Sequence, residues 1–247
     1  MKIAVISDIH GNIDALEAVI EDINNRKCEK IFALGDYAMA GPEPNATVDW
    51  FFKKQFDKKY QIIQGNTDLM IANFDDKLYT DLKIKAPIMA EALKEDTKLL
   101  NPIQKDFLKN LPQQLCLSED GVKILLVHGS PRRNNEDISP DLPLSEIEKM
   151  LEGVDADIIL CGHTHLPCGY QTNKKQTVVN VGSVGRPFTS NPQACYLILT
   201  ITNGKCLFEH RFVDYDRENA SKKLRNRTFE GANKLAEMLL NPTVRYF

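Results

Sequence analysis

The strongest constraint on the fold is that the first 70 residues alternate short apolar runs with segments of helical periodicity. Residues 1–7 are rich in Ile and Val, and from Asn12 onward the apolar residues recur at the spacing of an amphipathic helix. The runs 30–34 and 60–64 repeat this arrangement. Strands and helices that alternate in this way predict an α/β sheet. Polar residues follow each run, so we expect a site along the edge where the strands end.

The alternation stops between residues 69 and 116, where no strand-like run is predicted. Ile103, Phe107 and Leu111 recur at helical spacing, which predicts an amphipathic helix. We interpret about 69–116 as a helical insertion that covers part of the site, within a single domain that spans residues 1–247.

Strand-like runs return in the second half of the chain. Strands are predicted at 122–127, 158–161, 176–181, 194–202 and 205–213, with a helix at about 144–151. The last three runs have the pattern of antiparallel strands, and Asn203-Gly204 is a typical hairpin turn between two of them. A charged stretch and a closing helix then form a helical tail over about 214–247.

The composition excludes several classes of protein. With 43% hydrophobic and 26% charged residues, the chain is neither collagen-like nor disordered nor a coiled coil. A formal net charge of -3 provides no field that would attract nucleic acid or an anionic membrane, so neither is an expected partner. No apolar stretch reaches the roughly 18 residues of a membrane span, and no signal-like segment is apparent. Six scattered cysteines without a C-x-x-C pair then predict a cytoplasmic protein with reduced thiols.

Histidine, aspartate and asparagine residues stand directly after the strand-like runs. These candidate metal ligands are Asp8, His10, Asp36, Asn66, His128, His163 and His165. The set is too rich in nitrogen for calcium or a lone magnesium ion, and it suits manganese, iron, zinc or a similar ion. The ligands are also too many for one tetrahedral zinc, but they fit two metals that share a bridging carboxylate.

Five short motifs make the chain recognisable when they are taken in order. They are D-x-H at 8–10, G-D at 35–36, G-N-x-D at 65–68, V-H-G at 127–129 and G-H-T-H at 162–165. Their order resembles the calcineurin-like metallophosphoesterase family over about residues 2–213. The string NVGSVGRP at 180–187, with an early His-Gly-Asn and a later Gly-Ser-Pro-Arg, is similar to a prokaryotic branch of that family. Members of this branch hydrolyse small phosphoesters or dinucleoside polyphosphates.

The resemblance implies a four-layer α-β-β-α sandwich of two mixed sheets with flanking helices and a dinuclear metal site. One ion would be held by Asp8, His10 and His165, the other by Asn66, His128 and His163, with Asp36 as the bridge. The expected cofactors are two divalent ions, manganese first, with iron, zinc, nickel or magnesium as alternatives. A bridging hydroxide would attack phosphorus. The expected catalytic residues are Asp36, Asn66, Asp68 and His128.

One position departs from the family pattern. Many members carry a histidine after the Gly-Asn pair, where it protonates the leaving group, and Thr67 stands there in this chain. A hydroxyl is a poor general acid at neutral pH, so Asp68, a metal-bound water or another group must serve, or the leaving group needs little help. We therefore expect aryl phosphodiesters and polyphosphate anhydrides to be better substrates than alkyl esters.

Four residues beside the strand ends are candidates for binding substrate phosphate. Asn12 is either a helix cap or a phosphate ligand, and one residue can do both. Arg132, Arg133 and Arg186 are ordinarily surface charges, but arginine pairs well with phosphate oxygens. His210 lies within a strand-like run without a motif, and we interpret it as structural.

Three functions are compatible with these residues. The first is hydrolysis of a phosphodiester or a nucleotide-type substrate by the dinuclear site. The second is a phosphoprotein or phosphomonoester phosphatase; an exposed groove would favour a protein substrate and a helical lid a small molecule. The third is a non-catalytic scaffold on the same fold, which the complete set of candidate ligands argues against. The oligomeric state is left open.

Overall fold

Two five-stranded sheets with flanking helices make up the structure, a computed structural model that describes residues 1–241 and 243–244. Within these residues the strands are β1 (Lys2–Ile6), β2 (Lys30–Ala33), β3 (Tyr60–Ile62), β4 (Gln114–Glu119), β5 (Val122–Val127), β6 (Ile158–Cys161), β7 (Cys168–Gln171), β8 (Thr177–Asn180), β9 (Ala194–Thr202) and β10 (Lys205–Val213). The helices in the same residues are α1 (Ile13–Asn25), α2 (Pro44–Phe52), α3 (Asn66–Ala72), α4 (Asp76–Lys85), α5 (Pro87–Leu99), α6 (Pro102–Asn110), α7 (Leu144–Met150), α8 (Arg217–Arg225) and α9 (Ala232–Leu240).

Each sheet combines parallel and antiparallel strands. The first has the order β10-β9-β1-β2-β3, in which β1, β2 and β3 are parallel. The antiparallel hairpin of β9 and β10 joins this sheet at β1. The second sheet has the order β4-β5-β6-β8-β7, in which β5, β6 and β8 are parallel and both edge strands are antiparallel. In both sheets, therefore, neighbouring parallel strands end at the same edge.

The two sheets pack face to face through alternate residues of their central strands. Ile3 and Val5 of β1 belong to one buried cluster with Ile124 and Leu126 of β5. Ala4 of β1 belongs to a second cluster, which includes α1 and the other helices of that side. A third cluster packs α7 against the outer face of the second sheet. This order of layers confirms the predicted four-layer α-β-β-α sandwich of two mixed sheets.

Two predictions about the strands are wrong, and one strand is missed. Residues 114–119 form β4 instead of ending a helical region, because this edge strand has only a weak alternation of polar and apolar residues. β7 is not predicted by the sequence, since four residues that include a glycine give little signal. β8 is parallel to β6, and only its pairing with β7 is antiparallel. The antiparallel pairing of β9 with β10 is confirmed.

The helical regions follow the sequence pattern more closely. Between β3 and β4 the described chain contains four helices, α3 to α6. After β10 it forms α8 and α9, and Ala220, Leu224 and Leu235 of these helices are buried in the same cluster as α1. The predicted helical tail extends to residue 247, and residues 242 and 245–247 lie outside the described residues. In the part of the chain that is described, no helix has the length and hydrophobicity that a bilayer crossing requires.

Candidate metal centre

The candidate ligands lie where the parallel strands of both sheets end. The loops after β1 and β2 carry Asp8, His10 and Asp36, and Asn66 is the first residue of α3 after β3. The loops after β5 and β6 carry His128, His163 and His165. Backbone hydrogen bonds join loops within each sheet: the Asp8 amide donates to Gly35 O at 3.0 Å and the Gly162 amide to His128 O at 2.8 Å. The His163 amide donates to Asp8 Oδ2 at 3.0 Å, which connects the two sheets at the site.

Much of this region has a left-handed backbone. Positive φ angles between 47° and 68° occur at Asp8, His10, Asp36, His163 and His165. Such a conformation costs an L-residue roughly 1–2 kcal/mol, so the surrounding contacts must hold it. Gly65 illustrates how close these contacts are, because an added Cβ would lie 2.1 Å from Oδ1 of Asp36. The sharp turns after the strands direct the side chains of different loops toward one another.

The first group of ligand atoms consists of Asp8, His10 and His165, all buried, with these atoms within 4.8 Å of one another. A carbonyl oxygen can only accept, so His10 Nδ1 donates to Met39 O at 3.0 Å and His165 Nδ1 to the backbone oxygen of Arg186 at 2.5 Å. Both Nε2 atoms therefore present lone pairs, and they lie 3.2 Å apart. Asp8 Oδ1 lies 3.4 Å from His165 Nε2 and has no hydrogen-bond partner among the described residues. Facing lone pairs beside an unpaired buried carboxylate oxygen fit a cation.

A second group of ligand atoms contains Asp8 again, with Asp36 and His128. Asp36 Oδ2 lies 3.4 Å from His128 Nε2 and 3.6 Å from His10 Nε2, so it stands between the two groups as a bridging carboxylate would. The other oxygen of Asp36 accepts the Thr67 amide at 2.9 Å. The sequence did not predict that Asp8 would take part in both groups.

Asn66 and His163 differ in how closely they approach these groups. Asn66 Oδ1 is 3.0 Å from His128 Nε2, so the amide oxygen reaches the second group. His163 lies outside both groups. Its ring meets the His128 ring edge-on, with centroids 5.3 Å apart, and its Nε2 is 3.4 Å from Asp137 Oδ1. No motif marks Asp137, and the sequence analysis therefore did not include it.

Charges inside the site shift the pKa values of its groups. Burial opposes the charged form of His128, but the charge of Asp36, the hydrogen bond with it and the charge of Asp8 together raise the pKa of His128 to about 10. Burial and the charge of His165 lower the pKa of His10 to about 4. The site therefore favours positive charge beside its carboxylates, and a metal ion would take the place of the proton on His128.

Asp68 is completely buried beneath the Asp36 loop. Its Oδ2 accepts the backbone amides of Gly65 at 2.9 Å and Asp36 at 2.8 Å, and its Oδ1 accepts the Tyr37 amide at 3.0 Å. Burial and the charge of Asp36 raise the pKa of Asp68 to about 7. This geometry argues against the expectation that Asp68 protonates a leaving group, because its carboxylate holds the loop instead.

A cavity of about 400 Å³ opens beside the ligands. Its lining residues are His10, Asp36, Asn66, Thr67, Ala86, Met89, His163, His165, Arg186 and Phe188. One wall is apolar: Phe188 stacks on the His165 ring, with centroids 4.6 Å apart and planes 7° from parallel. Met89 of α5 adjoins it, with Sδ 3.6 Å from Nη1 of Arg186. Neither residue was predicted from the sequence; the string around Arg186 could have indicated Phe188, whereas nothing in the sequence marks Met89.

The three arginine candidates for phosphate binding have different surroundings. Arg186 is half-buried in the cavity wall and has no carboxylate within ion-pair distance in the described part of the chain. Burial lowers the pKa of Arg186 to about 10, which leaves it charged at neutral pH. Arg132 and Arg133 both pair with Glu136, at 2.6 and 2.8 Å, beside a separate cavity of about 270 Å³.

The side chains of Asn12 and His210 make hydrogen bonds that stabilise the fold. Asn12 Oδ1 caps α1, and its Nδ2 donates to Gly185 O at 3.0 Å and to the Tyr215 hydroxyl at 3.2 Å. The cap interpretation is confirmed, and these bonds argue against a phosphate contact because the buried amide is already occupied. His210 Nε2 donates to Asn180 O at 2.7 Å, in keeping with a structural role.

Known proteins resemble this chain in both sequence and fold. Residues 1–204 match the calcineurin-like phosphoesterase superfamily domain. The uncharacterized protein MJ0912 of Methanocaldococcus jannaschii is 30% identical over 238 residues, which cover 90% of this chain and 91% of that protein. The crystal structure of hypothetical protein PH1004 from Pyrococcus horikoshii OT3 is similar in fold, with a TM-score of 0.87 at 23% identity over 99% of both chains. A metallophosphoesterase from Sphaerobacter thermophilus gives a TM-score of 0.79 at 23% identity, over 98% of this chain and 99% of that chain.

Proposed function

Because the chain belongs to the calcineurin-like phosphoesterase superfamily, we propose that it is a metal-dependent hydrolase of small phosphodiesters or nucleotide-type phosphoesters with a dinuclear site. One observation carries the proposal. The rings of His10, His128 and His165 are each fixed by a hydrogen bond from Nδ1 to a backbone carbonyl. Their Nε2 atoms are thereby directed toward Asp8 and Asp36, an orientation typical of imidazoles that bind metal.

The first proposed ligand set is the first group of atoms, and the second set shares with the second group only His128 and the bridging Asp36. Asp8, His10 and His165 would hold one ion, and Asn66, His128 and His163 the other, with Asp36 between them. His163 is retained in the second set because it lines the cavity beside Asn66. Two bound divalent ions, manganese first, would supply the activated nucleophile and neutralise charge that develops on the phosphate.

The remaining cavity residues support a small organic phosphoester as substrate. Arg186 would bind phosphate oxygens, because its guanidinium is charged and engages no carboxylate within the described chain. The Thr67 hydroxyl is buried, lines the cavity and has no partner among the described residues, so it would donate to a substrate oxygen. Phe188 and Met89 would contact the organic part of the substrate. Since α5 contributes to this wall, a small molecule fits better than a phosphoprotein.

The proposal is tested by metal analysis of the purified protein together with a substrate panel. The panel contains an aryl phosphomonoester, an aryl phosphodiester, a cyclic nucleotide and a dinucleoside polyphosphate. We expect two divalent ions per chain, loss of turnover with a chelator and recovery with Mn²⁺. Turnover confined to the phosphomonoester would favour the phosphatase alternative, and no turnover with full metal content would favour a scaffold.

Asp36→Asn tests the bridge directly. Loss of the charge shared by the two groups should lower kcat by at least about 1,000-fold and weaken both ions. Asp155→Asn is the matched control, because the Asp155 side chain is 87% exposed and pairs only with Lys123 among the described residues. Normal turnover by Asp36→Asn would refute the dinuclear assignment.

The absence of a histidine at position 67 gives a second test. With Thr67 in that place, aryl diesters should be hydrolysed faster than alkyl diesters, because an aryl leaving group needs little protonation. Thr67→His should narrow the ratio of the two kcat values, and Thr67→Val should leave the ratio unchanged while lowering kcat/KM. Equal kcat for aryl and alkyl diesters in the wild type would refute this preference.

A further inference from the structure

The helices after β10 lie outside the match with the family domain, yet the loop between them reaches the candidate site. Arg227 follows α8, and its side chain is only 8% exposed. Its Nε donates to Glu95 Oε1 at 2.8 Å, and its Nη1 donates to Gly41 O at 2.5 Å. The remaining nitrogen, Nη2, donates to the carboxylate of Asp96 in α5. One side chain thereby connects the C-terminal helices, α5 and the loop after β2.

Asp96 extends this connection to the neighbouring peptide unit. The residue is completely buried, and its Oδ2 accepts the Ala40 amide at 2.8 Å. Arg227 holds the carbonyl of Gly41, one residue further along the chain. A buried carboxylate needs a charged partner and hydrogen bonds, so Asp96 and Arg227 depend on each other. Together they fix the path of the backbone at residues 40–41.

This stretch of backbone is strained and contacts a candidate ligand. Met39 and Ala40 have φ angles of 75° and 64°, in the left-handed region that L-residues avoid. The Met39 carbonyl accepts the Nδ1 proton of His10 at 3.0 Å. Gly41 packs so closely on His10 that a Cβ added to Gly41 would lie 1.5 Å from the His10 carbonyl oxygen. A shift of this loop would therefore displace the acceptor that orients the His10 ring.

We propose that Arg227 and Asp96 form a positioning pair for His10, because they hold the Met39 carbonyl where it keeps the proton on Nδ1 and directs Nε2 into the metal centre. The inference rests on the proposed function only in taking His10 as a metal ligand. Arg227 acts through the loop and is not itself a ligand. Groups that orient metal-bound histidines typically change metal affinity by about 10- to 100-fold.

A purely structural role for Arg227 makes a different prediction. Its ion pair with Glu95, which also accepts the Thr228 hydroxyl, would by itself anchor the loop between α8 and α9 on α5. Loss of that anchor would lower the thermal stability and leave the surroundings of His10 unchanged. Glu95→Gln is therefore the matched control, since the hydrogen bonds of Glu95 go to the C-terminal loop and not to the loop after β2.

The experiment compares Arg227→Met and Asp96→Asn with Glu95→Gln in the full-length chain. Isothermal titration calorimetry measures Mn²⁺ binding to the metal-free protein, and NMR of the histidine rings measures the exchange protection of the His10 Nδ1 proton before metal is added. We expect the first two variants to bind one of the two ions at least about 10-fold more weakly and to lose that protection. Glu95→Gln should lower Tm and change neither measurement.

Unchanged Mn²⁺ affinities and an intact His10 signal in both Arg227→Met and Asp96→Asn would overturn the inference, whatever happens to Tm. If Arg227→Met fails to fold, the comparison of Asp96→Asn with Glu95→Gln decides whether the inference holds. Arg227→Lys should give intermediate Mn²⁺ affinity and proton protection, because lysine keeps the charge but lacks the several N–H donors of the guanidinium. Neither measurement requires turnover. A chain that hydrolyses none of the tested phosphoesters would refute the proposed function and still leave this pair testable.

Discussion

Two arginine environments border the candidate site, and they differ in what balances the charge. Arg186 is half-buried in the cavity wall, with its guanidinium 5.4 Å from the centre of the Phe188 ring, and pairs with no carboxylate among the described residues. The side chains of Arg132 and Arg133 are 48% and 68% exposed, and both pair with Glu136. All three arginines lie in or near the loops at strand ends, so their positions in the sequence look equivalent. Their neighbouring charges differ.

The difference lies in the partners that each guanidinium already has. To bind a phosphate, Arg132 or Arg133 would have to release Glu136, and the exchange of one anion for another gains little. Arg186 makes no such exchange, and a partly buried guanidinium attracts an anion more strongly than one in water. We therefore expect existing ion pairs to predict phosphate binding better than nearness to a motif does.

The severest test of this comparison is Arg186→Met. Loss of a charge-assisted hydrogen bond to phosphate costs about 2–3 kcal/mol, so kcat/KM for an aryl phosphodiester should fall roughly 30- to 160-fold. Arg186→Lys should recover part of the loss, because it keeps the charge. The backbone carbonyl that orients His165 is present in both variants, so metal content should stay normal. Wild-type kinetics in Arg186→Met would exclude Arg186 from the substrate site.

A smaller effect, on stability, is expected at Glu136. The hydrogen bond from Arg132 lowers the pKa of Glu136 to about 2 from its ordinary 4.5, although burial opposes the shift. Because the folded-state pKa is the lower one, ionised Glu136 stabilises the fold above about pH 4.5, and this contribution disappears as the pH falls toward 2. Glu136→Gln should therefore lower the free energy of unfolding at neutral pH by about 1–3 kcal/mol.

Urea unfolding of both proteins at several pH values measures this effect. The difference between wild type and Glu136→Gln should shrink as the pH falls from about 5 to about 3, while the exposed Glu152→Gln should show little difference throughout. A difference that is the same at every pH would mean that the packing of Glu136, and not its charge, stabilises the loop.

The smallest effects are expected for the paired arginines. Arg132→Met and Arg133→Met should each change kcat/KM less than about 3-fold, because exposed and already neutralised guanidinium groups contribute little. The same steady-state assay used for Arg186→Met measures this. A loss in either variant as large as that of Arg186→Met would show that Glu136 releases its partners when substrate binds, and the comparison would fail.

The sequence predicts the candidate ligands better than their surroundings. Asp8, Asp36 and His128 are found because carboxyl ends of parallel strands meet at one edge, and this rule needs no side-chain geometry. The four-layer fold follows from the family resemblance. The cavity wall of Met89 and the contact of Arg227 with the loop after β2 depend on packing between segments far apart in the chain. Arg227 and its acceptor carbonyl are 186 positions apart, a separation that no local pattern reveals.

The direction of β8 and the role of Asp68 were also not predictable from the sequence. β8 pairs directly with β6, although β7 lies between them in the sequence, and the residues of β8 do not by themselves encode this parallel direction. Asp68 stands beside the metal motif, but the three backbone amides around its carboxylate come from the folded loop. The position of a motif therefore identifies the residues that could take part in chemistry, and the three-dimensional arrangement is needed to separate candidate ligands from groups that hold the loops.

If the site binds ions, the left-handed backbone at the strand ends would tie the amount of folded protein to the metal supply of its surroundings. Without bound ions, packing alone must balance that strain and the repulsion between the facing imidazoles of His10 and His165. Ions that bind only the native chain would add about 2.7 kcal/mol of stability at a hundredfold excess over their Kd. Under metal starvation more chains would unfold and become open to proteolysis, so scarcity would reduce the number of protein molecules as well as their activity.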